Sequence, residues 1–106
     1  MKVAAVDIGT NTVRLLLGDV AGNVGHLSLA NVERHEIITK LGEGLDATGR
    51  LGQDPMGRAL AGLGYYATLI AESGAKRVGG VATAATRSAT NGDVFAARVA
   101  DVIGFH

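Results

Sequence analysis

The sequence predicts an α/β domain with a mixed sheet, its elements ordered β-β-β-α-β-α. Two apolar runs, Val3–Val6 and Val13–Leu17, flank a Gly-Thr-Asn-Thr turn and read as a hairpin. Apolar residues at helical spacing then run from Met56 to Ile70, behind an Asp54-Pro55 start. A short apolar segment, Lys76–Ala82, returns to strand before a second helical pattern closes the chain. Consecutive strands pair antiparallel, whereas a strand reached through a crossover helix lies parallel, so the sheet is mixed.

Each element has a local reason. The first two runs are continuously apolar, a pattern of strands buried on both faces, so helices are expected to cover the sheet. Ala21-Gly22-Asn23 is a second turn signal. Val24–Ala30, with Leu27 and Leu29 alternating, reads as the third strand, with an extension through Glu33–Ile38 open. Leu41–Leu51 is glycine-rich and aperiodic and reads as a loop. Asp54 supplies an N-cap and Pro55 suits the first helical position. Met56, Leu60, Leu63, Ala67 and Ile70 form the apolar face, and Gly74 ends the helix. Gly57, Gly62 and Gly64 each cost that helix up to about 1 kcal/mol relative to Ala, which a close approach to the sheet would offset. Thr83–Thr90 reads as a turn or short helical piece. Asn91-Gly92-Asp93 caps a last helix carrying Phe95, Val99, Val102 and Ile103, stopped by Gly104.

Composition narrows the function classes. With 106 residues there is room for one domain. A charged fraction of 19% against 47% hydrophobic excludes a disordered chain. The net charge is zero, so no basic stripe argues for DNA or RNA, and a charged ligand must be held by local geometry. Without cysteine there is no disulfide, cysteine zinc site or thiol nucleophile. The apolar runs are too short for a signal peptide or membrane span, and a cytoplasmic setting is expected.

Asp7-Ile-Gly-Thr-Asn-Thr12 carries the first chemistry. Gly9 admits positive φ and close backbone approach. Successive N–H groups of such a turn form an anion-binding concavity, and the Thr10 and Thr12 hydroxyls add donors. Asp7 at the strand end can hold Mg²⁺, which takes few carboxylates and keeps waters. A plain hairpin turn is the other open reading, because the same residues are ordinary turn formers. Arg14 lies two residues past the turn and suits phosphate oxygens, or it is a structural ion pair. In the second cluster, Thr83 and Arg87 follow a strand end, where open α/β sheets bind ligands. Helix-start chemistry and a solvated arginine are the alternative there. Asn91 reads as a cap. His26, His35 and His106 have no metal-type spacing and are expected at the surface.

Three ordered blocks resemble one family. Ala4–Leu17, Thr39-Lys-Leu-Gly-Glu-Gly-Leu45, and Val81-Ala-Thr-Ala-Ala-Thr-Arg87 with Asn91 are similar to the amino-terminal part of exopolyphosphatase / guanosine pentaphosphate phosphohydrolase (Ppx/GppA) proteins. The resemblance covers essentially the whole chain. It implies an actin-like, ribonuclease H-like ATPase-type fold, of which residues 1–106 would form the first part of the first domain. It also implies Mg²⁺-dependent release of terminal phosphate from inorganic polyphosphate or guanosine pentaphosphate. In that scheme Asp7 lies near the metal, Gly9, Thr10, Asn11 and Thr12 form the first phosphate loop, Arg14 meets substrate phosphate, and Thr83 with Arg87 lines the cleft. Ala84-Ala85-Thr86 departs from the family's frequent Ser-Ala-Leu, which removes a hydroxyl at Ala84 and leaves Arg87 in place.

The last helix leaves a β-α-β-α progression one strand short. The resemblance puts the general base, a glutamate, beyond His106, so no catalytic residue is assigned and the fragment alone is expected to be inactive. Two rival functions share the turn chemistry: an ATP-dependent small-molecule kinase of the same fold, and a non-catalytic guanosine tetra- or pentaphosphate-binding regulator. An open sheet edge would also offer a homodimer surface.

Overall fold

β1 (Lys2–Ile8) organises the sheet. In the computed structural model, which describes residues 1–23, 25–82 and 84–104, β1 pairs antiparallel with β2 (Thr12–Asn23) and parallel with β4 (Arg77–Ala82). β2 in turn pairs antiparallel with β3 (His26–Ile38), giving the order β3-β2-β1-β4. The sheet is therefore mixed, as the element order requires. The β2–β3 hairpin runs on past the start of β1 as a two-stranded ribbon, since Lys2 pairs with Asp19 while Asn23 pairs with His26. Strand structure continues through Ala21–Asn23, where a turn was expected, and β3 is one strand out to Ile38.

Period-2 alternation decides which side chains reach the core. Ala4, Val6 and Ile8 on β1 and Val13, Leu15 and Leu17 on β2 are buried. Their neighbours Ala5, Asp7 and Arg14 are exposed on the opposite face. Among the described residues the helices cover one face only, which corrects the expectation of helices on both. The continuous apolar runs put Val3, Ala5 and Leu16 on the second face, so the pattern promised a cover that these residues do not supply.

Helix α2 (Gln53–Ser73) packs across β2 and against α4 (Gly92–Ile103). Its buried stripe includes Met56, Ala59, Leu63, Tyr66 and Ile70, so Tyr66 rather than Ala67 sits on the core face. The N-cap is Gly52, not Asp54, and the first intrahelical bond runs from Met56 N to Gly52 O at 3.0 Å. Pro55 is consequently the third helical residue, still inside the turn whose N–H groups have no intrahelical partner. Gly74 ends α2 in the left-handed conformation, as Gly104 ends α4. Close approach to the sheet occurs at Gly62, where a Cβ would stand 3.3 Å from Ile37 Cδ1 and 3.4 Å from Val13 Cγ2. Gly57 and Gly64 face open space. Two short helices complete the chain: α1 (Leu45–Thr48), inside the segment expected as a loop, and α3 (Ala84–Ser88) in the Thr83–Thr90 stretch. No helix of the described residues is long and apolar enough to cross a membrane.

Tyr66 fastens α2 to the sheet, its buried hydroxyl donating to Val13 O at 2.8 Å, directly after the β1–β2 turn. Tyr66→Phe should cost about 1 kcal/mol in urea unfolding, because the Val13 carbonyl loses its side-chain donor. Burial, helped by the Glu36 charge, pushes the phenol up from 10.0 to about 12. The neutral form is the one the fold favours, so its contribution is complete below about pH 10 and disappears as pH rises through about 12. Between those values the unmodified protein should lose stability more steeply than Tyr66→Phe.

Candidate functional site

The β1–β2 turn is built so that its carbonyls point into the protein. Gly9 N donates to Thr12 O at 2.9 Å, closing the turn. Asn11 O accepts from Thr39 N at 2.8 Å and Lys40 N at 3.1 Å, and Thr10 O accepts from Gly42 N at 3.0 Å. The 39–42 segment thus occupies the turn's acceptors. The N–H groups of Thr10 and Asn11 are the complement: neither they nor the side chains of Thr10, Asn11 and Thr12 form a hydrogen bond among the described residues. A turn with sequestered acceptors and open donors is electropositive without any net charge. It opens on a cavity of 540 Å³ lined by Thr10, Asn11, Thr12, Ile38, Lys40, Gly42 and Glu43.

Glycine makes room for close contacts at two places here, against backbone at Gly9 and against a side chain at Gly42. A Cβ on Gly9 would stand 2.7 Å from Thr12 O, so Gly9 serves close contact rather than the positive φ expected of it. A Cβ on Gly42 would stand 2.5 Å from Thr10 Cγ2. Arg58 braces the segment from α2, with Nε donating to Thr39 O at 2.7 Å and Nη2 pairing with Glu43 Oε1 at 3.0 Å. Thr39 is fully buried, and its hydroxyl has no partner among the described residues.

Asp7 and Arg14 are cross-strand partners on the uncovered face of the sheet, the face that Thr12 shares by alternation. With Leu16, Arg34, Glu36 and Val81 they border a cavity of 650 Å³. The Asp7 carboxylate has no hydrogen bond or ion pair among the described residues. Arg14 is held by Glu36, Nε to Oε1 at 2.6 Å, so the ion-pair reading of this residue describes the structure. Both side chains are more than half exposed, at 53% and 61%. Such pairs contribute about 0–1 kcal/mol, so a phosphate could displace Glu36 at little cost.

The second cluster leaves the sheet beside the first, because Ile8 and Ala82 are paired at the ends of parallel strands. Thr83 lies outside the described residues. Arg87 is exposed and folds back, Nη1 donating to Ala82 O at 2.8 Å. Behind it Thr86 is buried with its hydroxyl unpartnered among the described residues. Gly92 packs against Thr86, where a Cβ would lie 2.0 Å from Thr86 O.

Asn91 occupies the N-cap position of α4 but makes no side-chain capping bond. Its amide instead brackets Leu51, accepting from Leu51 N at 2.8 Å and donating to Leu51 O at 2.9 Å. Thr90 N adds a bond to Gly49 O at 2.9 Å. The segment after Arg87 is therefore docked onto the loop before α2. That role had no sequence signal, since the partners stand 40 residues apart. Nor did the Arg14–Glu36 pairing, which depends on the β2–β3 register. His35, expected at the surface, is partly buried near the Tyr66 ring and pairs with Glu33 at 2.7 Å. No group of three or more His, Cys, Asp or Glu able to hold a metal occurs among the described residues.

Comparison with known proteins decides what this arrangement belongs to. The family model described as "Ppx/GppA phosphatase family" matches residues 20–106. The chain belongs to this family. Exopolyphosphatase 2 of Mycobacterium tuberculosis is 45% identical over 103 residues, covering 97% of this chain and 32% of the relative. A guanosine-5'-triphosphate,3'-diphosphate pyrophosphatase of Photobacterium profundum is 32% identical, over 95% of this chain and 20% of its own length. The Aquifex aeolicus Ppx/GppA phosphatase superposes with a TM-score of 0.86 at 36% identity, covering 98% of this chain and 33% of that one. An exopolyphosphatase from Cytophaga hutchinsonii gives 0.80 at 26% identity, with 97% and 32% covered. The actin-like fold of the Ppx/GppA family is thereby that of this chain. The chain spans a third or less of the length of these relatives.

Replacing Asn91 separates bracing from capping. Asn91→Asp keeps a good N-cap but loses the amide donor to Leu51 O. It should destabilise the protein by about 1–3 kcal/mol in urea unfolding, through the unpaired carbonyl and the charge beside it. A neutral effect would make Asn91 an ordinary cap.

Proposed function

We propose that this chain supplies the first phosphate-binding half of a phosphoanhydride hydrolase that releases terminal phosphate from inorganic polyphosphate or guanosine pentaphosphate. The observation that carries the reading is the β1–β2 turn, with its Thr10 and Asn11 N–H groups open and its carbonyls tied to residues 39–42. The relatives named exopolyphosphatase and guanosine-5'-triphosphate,3'-diphosphate pyrophosphatase support this chemistry over the kinase and regulator alternatives.

In this reading Gly9, Thr10, Asn11 and Thr12 cradle the phosphoryl group, and backbone N–H groups meet its oxygens without reorganisation. Arg14 exchanges Glu36 for substrate oxygen, and Arg87 releases Ala82 O to reach the same group. Hydrolysis adds water at the terminal phosphorus, breaks the bridging P–O bond, and leaves orthophosphate and a chain one unit shorter. Such a reaction depends mainly on positioning and charge neutralisation. The water still needs a carboxylate to orient and deprotonate it. That glutamate is expected beyond His106.

The unpartnered Asp7 carboxylate fits Mg²⁺, which characteristically takes one or two carboxylates and completes its shell with water and substrate phosphate. When bound, the ion would neutralise charge on the phosphate oxygens. Asp7 would hold it at the end of β1, beside the turn.

Calorimetric titration of tripolyphosphate, with and without Mg²⁺, tests the proposal. The unmodified chain should bind, Mg²⁺ should strengthen binding, and the Thr12→Ala/Arg87→Ala double variant should weaken it at least about tenfold, the factor equivalent to 1.4 kcal/mol. No phosphate should be released by the 106-residue chain. Absence of binding would refute the phosphate reading, and Mg²⁺-dependent release above the double variant would refute the placement of the base elsewhere.

A further inference from the structure

Lys40 holds its backbone at φ 51, in the left-handed region that disfavours side chains. Asn31 is the other non-glycine residue there among the described residues. The nearby Gly44 and Gly49 take the same region as glycines, so the bend alone gives no reason for a lysine. Strain of this kind persists where the surroundings fix it and clusters at ligand sites. Here the fixing is explicit: Lys40 N and Thr39 N both donate to Asn11 O, at 3.1 and 2.8 Å. The strained residue is thus bolted to the turn whose N–H groups are open.

Charge points the same way. In the cavity shared by Thr10, Asn11, Thr12 and Lys40, the acidic group is Glu43, and Arg58 already pairs with it at 3.0 Å. Lys40 is exposed, and its ammonium makes no ion pair or hydrogen bond among the described residues. It is the uncompensated cation of that cavity. An ammonium on a flexible four-carbon stem suits a charge whose position varies, unlike the fixed fork of an arginine.

We propose that Lys40 is a specificity-determining residue for condensed phosphates. It neutralises a phosphoryl group adjoining the one seated on the Thr10–Asn11 turn, so the site prefers a linear chain of linked phosphates to a single phosphate. The inference rests on the phosphate reading of the turn.

The test compares inorganic phosphate with tripolyphosphate by calorimetry on the 106-residue chain and its variants. Lys40→Gly removes the charge while relieving the strained φ, so folding is not put at risk. It should weaken tripolyphosphate binding about tenfold and inorganic phosphate less than about twofold, as expected for loss of one charge-assisted contact. Lys40→Arg should restore most of the difference, and Lys76→Ala, altering a lysine outside the site, should change neither affinity. Equal tripolyphosphate affinity in Lys40→Gly would overturn the proposal. So would an equal loss for both anions, or a loss in Lys76→Ala matching that in Lys40→Gly. If the unmodified chain binds neither anion, the phosphate reading itself fails, a result distinct from a Lys40→Gly variant that binds like its parent.

Discussion

The hydrogen bonds from residues 39–42 to the β1–β2 turn are the constraint on which the rest depends. Asn11 O and Thr10 O would otherwise lie beside the Thr10 and Asn11 N–H groups and oppose any anion brought to them. By accepting from Thr39, Lys40 and Gly42 they are turned to internal use, leaving the donors outward. A neutral protein thereby presents a local cluster of free N–H donors, the electrostatic character an anion site needs, from backbone orientation alone. The arrangement is held by contacts of three kinds. Gly9 and Gly42 allow spacing that a Cβ would block, Arg58 ties Thr39 O and Glu43 to α2, and Tyr66 anchors α2 to Val13 O.

Sheet topology supplies the second part. Because β4 returns parallel to β1 and ends in register with it, the chain after Ala82 emerges beside the chain after Ile8. Arg87 therefore approaches the neighbourhood of the turn through topology, though 73 residues separate it from Arg14 in sequence. Asn91 and Thr90 then fasten the Arg87 segment to residues 49–51, the far end of the same loop that begins by clamping the turn. One loop thus fixes both clusters: its start organises the first and its end receives the second.

Much of this was legible in the residues. Val3–Val6 and Val13–Leu17 around a Gly-Thr-Asn-Thr turn could hardly be anything but a hairpin, and the Met56–Ile70 spacing set the main helix. The candidate residues Asp7, Thr10, Asn11 and Thr12 were visible because turn-forming residues interrupted strong apolar runs. What could not be read were contacts between distant segments. Asn91 looks like a cap from its position, yet its amide is spent on Leu51. Arg14 reads equally as a ligand or an ion pair until the β2–β3 register puts Glu36 opposite it. Leu41–Leu51 read as a loop because its order comes from a backbone bond to the turn and from the distant side chains of Arg58 and Asn91, which leave no local pattern. Helices on both faces were inferred from Val3, Ala5 and Leu16, residues that make one strand face apolar without saying what covers it.

The most direct test of the account is a two-dimensional amide NMR titration of the ¹⁵N-labelled chain with tripolyphosphate. Hydrogen bonding to an anion shifts the proton resonance of the donating amide downfield. The account predicts the largest downfield shifts at Thr10 and Asn11, while the amides of Thr39, Lys40 and Gly42 keep their internal bonds and stay protected from exchange. Saturating shifts confined to lysine and arginine side chains elsewhere, with Thr10 and Asn11 unmoved, would contradict it.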